Sequence, residues 1–175
     1  MLKIAITGPE STGKSSLAKS LAEIYGVKAI PEYAREYLSN FELPYTIDDI
    51  VKIAREQERL IKEKATTSDK ILIADTELLV CKIWTIFVFN KVPEFIRKAF
   101  AEQQFDLYLL CDIDLAWEAD PLRENPSKSE RKQLFEMYRV ALEQANCCYA
   151  IISGKDEQRV QNAIKMIGAL IEKNK

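Results

Sequence analysis

The chain has 175 residues, of which 47% are hydrophobic and 30% charged, a composition that suits one globular domain and excludes a disordered segment. Its 25 basic and 27 acidic side chains leave a net charge of −2, without the strongly basic balance of a duplex nucleic-acid binder. Histidine is absent, which removes Ser-His-Asp triads, Cys-His nucleophiles, imidazole acid–base catalysis and histidine-bound zinc.

Chemistry must therefore run on carboxylates, lysine, arginine, hydroxyls and a metal held through oxygen. Cys81, Cys111, Cys147 and Cys148 form no C-x-x-C pair and read as reduced thiols of a cytoplasmic protein. No apolar run approaches the roughly 20 residues that cross a bilayer, and the first apolar stretch meets a Gly-rich loop instead of a cleavage site. The expectation is a soluble cytoplasmic protein with neither membrane nor nucleic acid as partner; a homo-oligomer is left open.

In chain order, Leu2–Thr7 reads as a buried strand. It runs into Gly8-Pro9-Glu10-Ser11-Thr12-Gly13-Lys14-Ser15, which matches G-x-x-x-x-G-K-[ST] between a strand and a helix. Gly8 and Gly13 permit torsions that turn successive amides inward. The loop from Glu10, Ser11 and Thr12 to Ser15 and Ser16, with the positive end of the next helix, then solvates phosphate oxygens. Lys14 is expected to reach the β- and γ-phosphates of ATP, and Ser15 to offer its hydroxyl to Mg2+. Lys14–Tyr25 follows as an amphipathic helix with Leu17, Leu21 and Ile24 on one face. Val27–Ile30 reads as a second strand, stopped by Pro31.

Further along, Ile47–Lys64 has apolar residues at helical spacing. Lys70–Ala74 is a third strand, and Ile71-Leu72-Ile73-Ala74-Asp75 has the Walker-B form, so Asp75 is expected to hold Mg2+. Leu78–Phe89 reads as a mostly buried helix and Phe105–Cys111 as a fourth strand. Asp112–Lys128 is irregular and charged, long enough for a lid. Ser129–Ala145 reads as a helix, Cys148–Ile152 as a fifth strand and Glu157–Lys173 as a closing helix. Strands separated by helices predict an α/β fold, a three-layer P-loop NTPase/kinase fold with a parallel five-stranded sheet and helices on both faces. The chain then forms one domain, with phosphate loop 8–15, acceptor segment 31–38 and lid region 112–131.

Pro31-Glu32-Tyr33-Ala34-Arg35-Glu36 lies at the carboxyl end of the second strand, where ligands of open α/β sheets collect. Glu32 is placed to orient an acceptor hydroxyl and take its proton; alternatively it is a carboxylate at a helix N-terminus. Arg35 pairs with a phosphate or with Glu36. Tyr33, Trp84 and Trp117 are candidates to stack on a flat, cationic ring, or are core aromatics. In the lid, Asp120 joins the acceptor side, while Arg123 and Arg131 are candidates to neutralise charge on the transferred group. A solvated charged face is the other reading of that segment. Ser153 and Gly154 end the last strand in a small turn, where adenine usually packs in such folds.

Together GPESTGKSSLA, PEYAREYL, ADTELLVCKIW, DPLR and ISG resemble, across nearly the whole chain, the ribosylnicotinamide kinase domain of NadR-type proteins, within the P-loop kinase superfamily. The resemblance implies ATP-dependent 5′-phosphorylation of nicotinamide riboside to nicotinamide mononucleotide. Glu32, Tyr33 and Arg35 would then serve the nucleoside, Trp84 and Trp117 its ring, Lys14, Ser15 and Asp75 the ATP and Mg2+, and Arg123 and Arg131 the lid. Family members carry an upstream adenylyltransferase domain whose signature uses histidine, so a stand-alone kinase domain without that activity is expected. A kinase for another nucleoside or small metabolite, and a regulatory P-loop ATPase, are the remaining readings. Thr76 and Glu77 after Asp75 favour an acceptor pocket over a switch, and no N/T-K-x-D motif supports GTP.

Overall fold

The computed structural model describes residues 1–39, 44–68 and 70–173. Its strands are β1 (Leu2–Thr7), β2 (Ile71–Asp75), β3 (Leu107–Cys111) and β4 (Tyr149–Ile152). All pair in parallel, in the order β2-β1-β3-β4. The helices are α1 (Lys14–Ile24), α2 (Tyr33–Ser39), α3 (Ile47–Thr67), α4 (Leu78–Phe89), α5 (Glu94–Glu102), α6 (Lys128–Gln144) and α7 (Asp156–Lys173).

Period-two alternation along the strands sorts the helices into two layers. Ile4 and Ile6 of β1, with Leu107, Leu109 and Cys111 of β3, pack with α1 and α7 through Leu17, Leu21, Ala163 and Ile167. Ala5, Tyr108 and Leu110 face the opposite way, onto α3, α4, α5 and α6 through Ile50, Leu79, Ile96 and Leu142. The result is helix, sheet and helix, as the alternation of elements implied. Among the described residues no helix is long and apolar enough to cross a membrane.

Two expectations change. The segment Val27–Ile30 is not a strand: Ile30 alone bridges β2, donating to Ile73 O and accepting from Asp75 N at 2.8 and 2.9 Å. No residue beside Ile30 joins it in that pairing, so the sheet among the described residues has four strands and not five. On α1, Leu17, Ala18, Leu21 and Ala22 are buried, whereas Ile24 is 54% exposed.

Two helices went unread. α5 carries its signal in the sequence, Pro93 followed by Phe95, Ile96, Ala99 and Phe100, but is only nine residues long. α2 has seven residues and one buried side chain, Leu38, too short a pattern to declare itself. Local chemistry sets the start of α3. Thr46 and Asp49 form a capping box, and Asp49 also accepts from Tyr37 and Lys52 at 2.9 Å each. These bonds, led by those from Thr46 and Lys52, hold the Asp49 carboxyl well below the usual range.

Candidate functional site

Parallel pairing brings the carboxyl ends of β1, β2 and β3 to one edge, and the phosphate loop crosses that edge. A Cβ on Gly8 would lie 3.0 Å from Cys111 O, and φ there is +131°, so only glycine lets the loop rest on the end of β3. Ser11 adopts a left-handed φ of 55°, and Gly13, also left-handed, starts α1. Thr12 Oγ1 and Lys14 Nζ both donate to Pro9 O at 2.7 Å, closing the loop on itself.

Asp75 is buried at the end of β2, in register with Ile6 just before the loop. Its Oδ1 has no hydrogen-bond partner among the described residues, and the nearby Ser15 side chain favours the ionised carboxylate. Burial raises its pKa, opposed by Ser15, Lys14 and Arg35. A buried carboxylate oxygen without a donor, beside an exposed serine hydroxyl, fits a hard cation that takes oxygen ligands.

One cleft is lined by the loop from Gly8 to Ser16 and, opposite, by Glu32, Arg35, Tyr45, Trp84 and Glu124. Glu32 precedes α2 and is half-buried. Burial pushes its carboxyl up, Asp75 adds to the effect, and Lys14, Arg35 and Arg123 oppose it. Tyr33 N donates to Gln57 Oε1 at 2.9 Å, so the first amide of α2 is satisfied without Glu32. Apolar atoms of Leu38, Val80, Ile83, Phe87, Leu134 and Tyr138 complete the cleft lining.

Of the aromatic candidates, Trp84 faces the cleft. Its indole donates to Tyr45 OH at 2.9 Å, and Tyr45 donates to Glu124 Oε2 at 2.7 Å. The Tyr45 and Trp84 rings meet edge-on, 5.0 Å apart. Tyr33 packs beside Tyr37 at 6.1 Å against the core, outside the cleft lining. Trp117 stands over the phosphate loop, its indole 3.5 Å from Glu10 Oε1, and not on the acceptor side.

The lid folds onto the loop. Glu10 accepts from the backbone N–H of Asn125 at 2.5 Å and of Glu124 at 3.1 Å. Ser11 Oγ accepts from Glu118 N at 2.9 Å and Arg123 Nη1 at 3.3 Å. Arg123 lines the cleft, whereas Arg131 is buried and donates to Leu115 O and Ser11 O, joining lid to loop through backbone. Asp120 pairs with Arg35 at 3.0 Å, a partner other than the phosphate or Glu36 expected for that arginine. Ser153 and Gly154 lie outside the cleft lining. Gly154 N donates to Asp114 Oδ2 at 2.6 Å, and Arg159, itself paired with Asp114, donates to Gly154 O.

Tyr45, Gln57, Glu77 and Glu124 went unread. Tyr45, Gln57 and Glu124 meet side-chain partners at least 19 positions away, as Glu77 does at Thr7, and no local spacing announces those contacts. Glu77 alone had a signal, a carboxylate directly before an apolar helix.

Residues 3–159 match the AAA domain family. The chain is 27% identical over 169 residues to the trifunctional NAD biosynthesis/regulator protein NadR of Escherichia coli (strain K12), covering 94% of this chain and 41% of that protein. It thus spans less than half of that relative. A crystal structure of NadR protein in complex with NR superposes with a TM-score of 0.81 at 21% identity, over 97% of this chain and 51% of that one. Deoxyadenosine kinase from M. mycoides superposes with a TM-score of 0.64 at 14% identity, over 96% and 98%. The fold is the α/β P-loop kinase fold.

Proposed function

The chain belongs to the AAA domain family, with its likeness to NadR-type kinase domains, and from that premise we propose that it transfers the γ-phosphoryl group of ATP to the 5′-hydroxyl of nicotinamide riboside. One observation carries the reading: the phosphate loop and Glu32 line the same cleft as Trp84 and Tyr45. A flat ring against Trp84 would leave the sugar between the aromatic wall and the loop.

Lys14 and the loop amides hold the phosphates and stabilise charge on the transferred group. Glu32 orients the acceptor hydroxyl and takes its proton late in transfer. Burial raises its pKa, which makes its ionised form a stronger base. Arg123 adds positive charge from the lid, and Glu10 and Ser11 keep the lid segment over the loop, where it excludes water. Arg131 positions that segment. Asp75 and Ser15 would hold Mg2+, which when bound supplies charge neutralisation at the phosphate oxygens.

The test is a coupled assay of ADP release with ATP and Mg2+, with and without nicotinamide riboside and a panel of nucleosides. Stimulation by nicotinamide riboside, with nicotinamide mononucleotide as product, is expected. Stimulation by a different nucleoside alone overturns the substrate. Slow release that no acceptor accelerates overturns the kinase and points to a regulatory ATPase.

A further inference from the structure

Glu77 is the buried acid that this mechanism leaves unused. It is fully buried, and three donors converge on its two oxygens. Thr7 Oγ1 donates to Oε1 at 2.9 Å. Leu79 N and Gln103 Nε2 donate to Oε2 at 2.6 and 2.5 Å. Gln103, at the end of α5, also accepts from Leu78 N at 3.3 Å and donates to Tyr108 OH at 3.2 Å. The turn that delivers Glu77 is strained: Thr76 holds a φ of 70°, a left-handed conformation that a β-branched residue rarely adopts.

The partners decide what Glu77 can do. Thr7 is the last residue of β1 and directly precedes Gly8 of the phosphate loop. Leu79 lies in the first turn of α4, the helix whose Val80, Ile83, Trp84 and Phe87 form the acceptor wall. One carboxylate therefore ties the donor half to the acceptor half, one oxygen to each. An N-cap alone needs only the bond to Leu79. The second oxygen, reaching 70 residues back to Thr7, is unnecessary for starting a helix.

We propose that Glu77 is a positioning residue for phosphoryl transfer, setting the distance between the acceptor wall on α4 and the phosphate loop. It touches neither substrate, and its effect is on alignment: nucleotide and acceptor bind at their own surfaces, while the step that needs both in line depends on this link. Misplacement by about 1 Å costs on the order of a hundredfold in such steps.

This inference rests on the kinase reading but not on the identity of the nucleoside, so its test uses whichever nucleoside the wild-type chain phosphorylates. Three variants are compared for kcat, acceptor KM and affinity for a non-hydrolysable ATP analogue. Glu77→Ala is expected to lower kcat by about tenfold to a hundredfold with analogue affinity within about twofold. Thr7→Val cuts only the link to the loop and leaves the bond to Leu79, so it keeps the proposal testable should Glu77→Ala fail to fold. It is expected to lower kcat by about tenfold. Glu77→Gln is expected to rescue, because its carbonyl can accept from Leu79 and Gln103 while its amide donates to Thr7, whose hydroxyl turns to accept.

Folded Thr7→Val with wild-type kcat and acceptor KM overturns the proposal and leaves Glu77 as a helix cap. Equal losses in analogue affinity and kcat also overturn it, since they place the damage in the phosphate loop itself. A wild type that refuses nicotinamide riboside but accepts another nucleoside overturns only the substrate. One that phosphorylates nothing overturns both.

Discussion

The two halves of the cleft are made in different ways. On the phosphate side, the side-chain bonds that shape the loop span three and five residues, from Thr12 and Lys14 to Pro9. On the acceptor side, Arg35 reaches Asp120 across 85 residues, and Tyr45 reaches Glu124 across 79. A site made of local backbone tolerates little change in its own sequence and depends weakly on the rest of the fold. A site made of distant side chains can change its ligand by single substitutions but is only as well placed as the elements that carry it. The lid bonds from Glu10 and Ser11 are where the two halves meet.

The largest expected effect breaks the phosphate half. Lys14→Ala removes the cation at the loop, and turnover should fall by about a thousandfold or more. ADP release that survives within tenfold would mean that the loop does not hold the reacting phosphate.

Next comes the residue facing both halves. Glu32→Gln should lower kcat by about a hundredfold to ten-thousandfold, with affinity for a non-hydrolysable ATP analogue nearly unchanged. In the wild type, the acid limb of kcat/KM should lie above the ordinary glutamate value of 4.5, because burial raises this carboxyl. A limb at or below that value removes Glu32 as the base. The stability sign is opposite to the activity sign. A carboxyl raised on folding stabilises the fold at low pH and loses that contribution as pH rises through its folded pKa. Glu32→Gln should therefore raise the melting temperature at neutral pH, with the difference shrinking on acidification. An unchanged difference across pH would show that Glu32 is not desolvated.

On the acceptor half the expected effects are smaller and fall on KM. Trp84→Ala should raise the acceptor KM by about tenfold with little change for ATP. Tyr45→Phe keeps the ring but cuts the bonds to Trp84 and Glu124, and a rise of about threefold is expected. Equal shifts in ATP and acceptor KM for either variant would dissolve the division between the halves.

The smallest effect lies outside the cleft. Thr46→Ala removes the hydroxyl of the α3 capping box and should cost about 1 kcal/mol of stability, with kinetics unchanged. Asp49 has a lowered carboxyl pKa in the fold, so its contribution is present above its unfolded pKa and fades as pH falls. Asp49→Asn should flatten stability against pH on the acid side. A thermal melt that still loses the same stability on acidification would assign that loss elsewhere.

Sequence alone determined the layer order, the phosphate loop and the Asp75 strand. Each of these rests on short-range rules: period-two burial, glycine torsions, and a carboxylate closing an apolar run. At Val27–Ile30 the apolar run read as a strand, but only Ile30 bridges β2. What only the tertiary structure decided is who meets whom across the cleft. It pairs Arg35 with Asp120, turns Arg131 onto Leu115 and Ser11, sets Trp117 over Glu10, and joins Trp84, Tyr45 and Glu124. The physical reason is that these partners are brought together by the packing of whole helices on the sheet. Spacing along the chain carries no record of that packing.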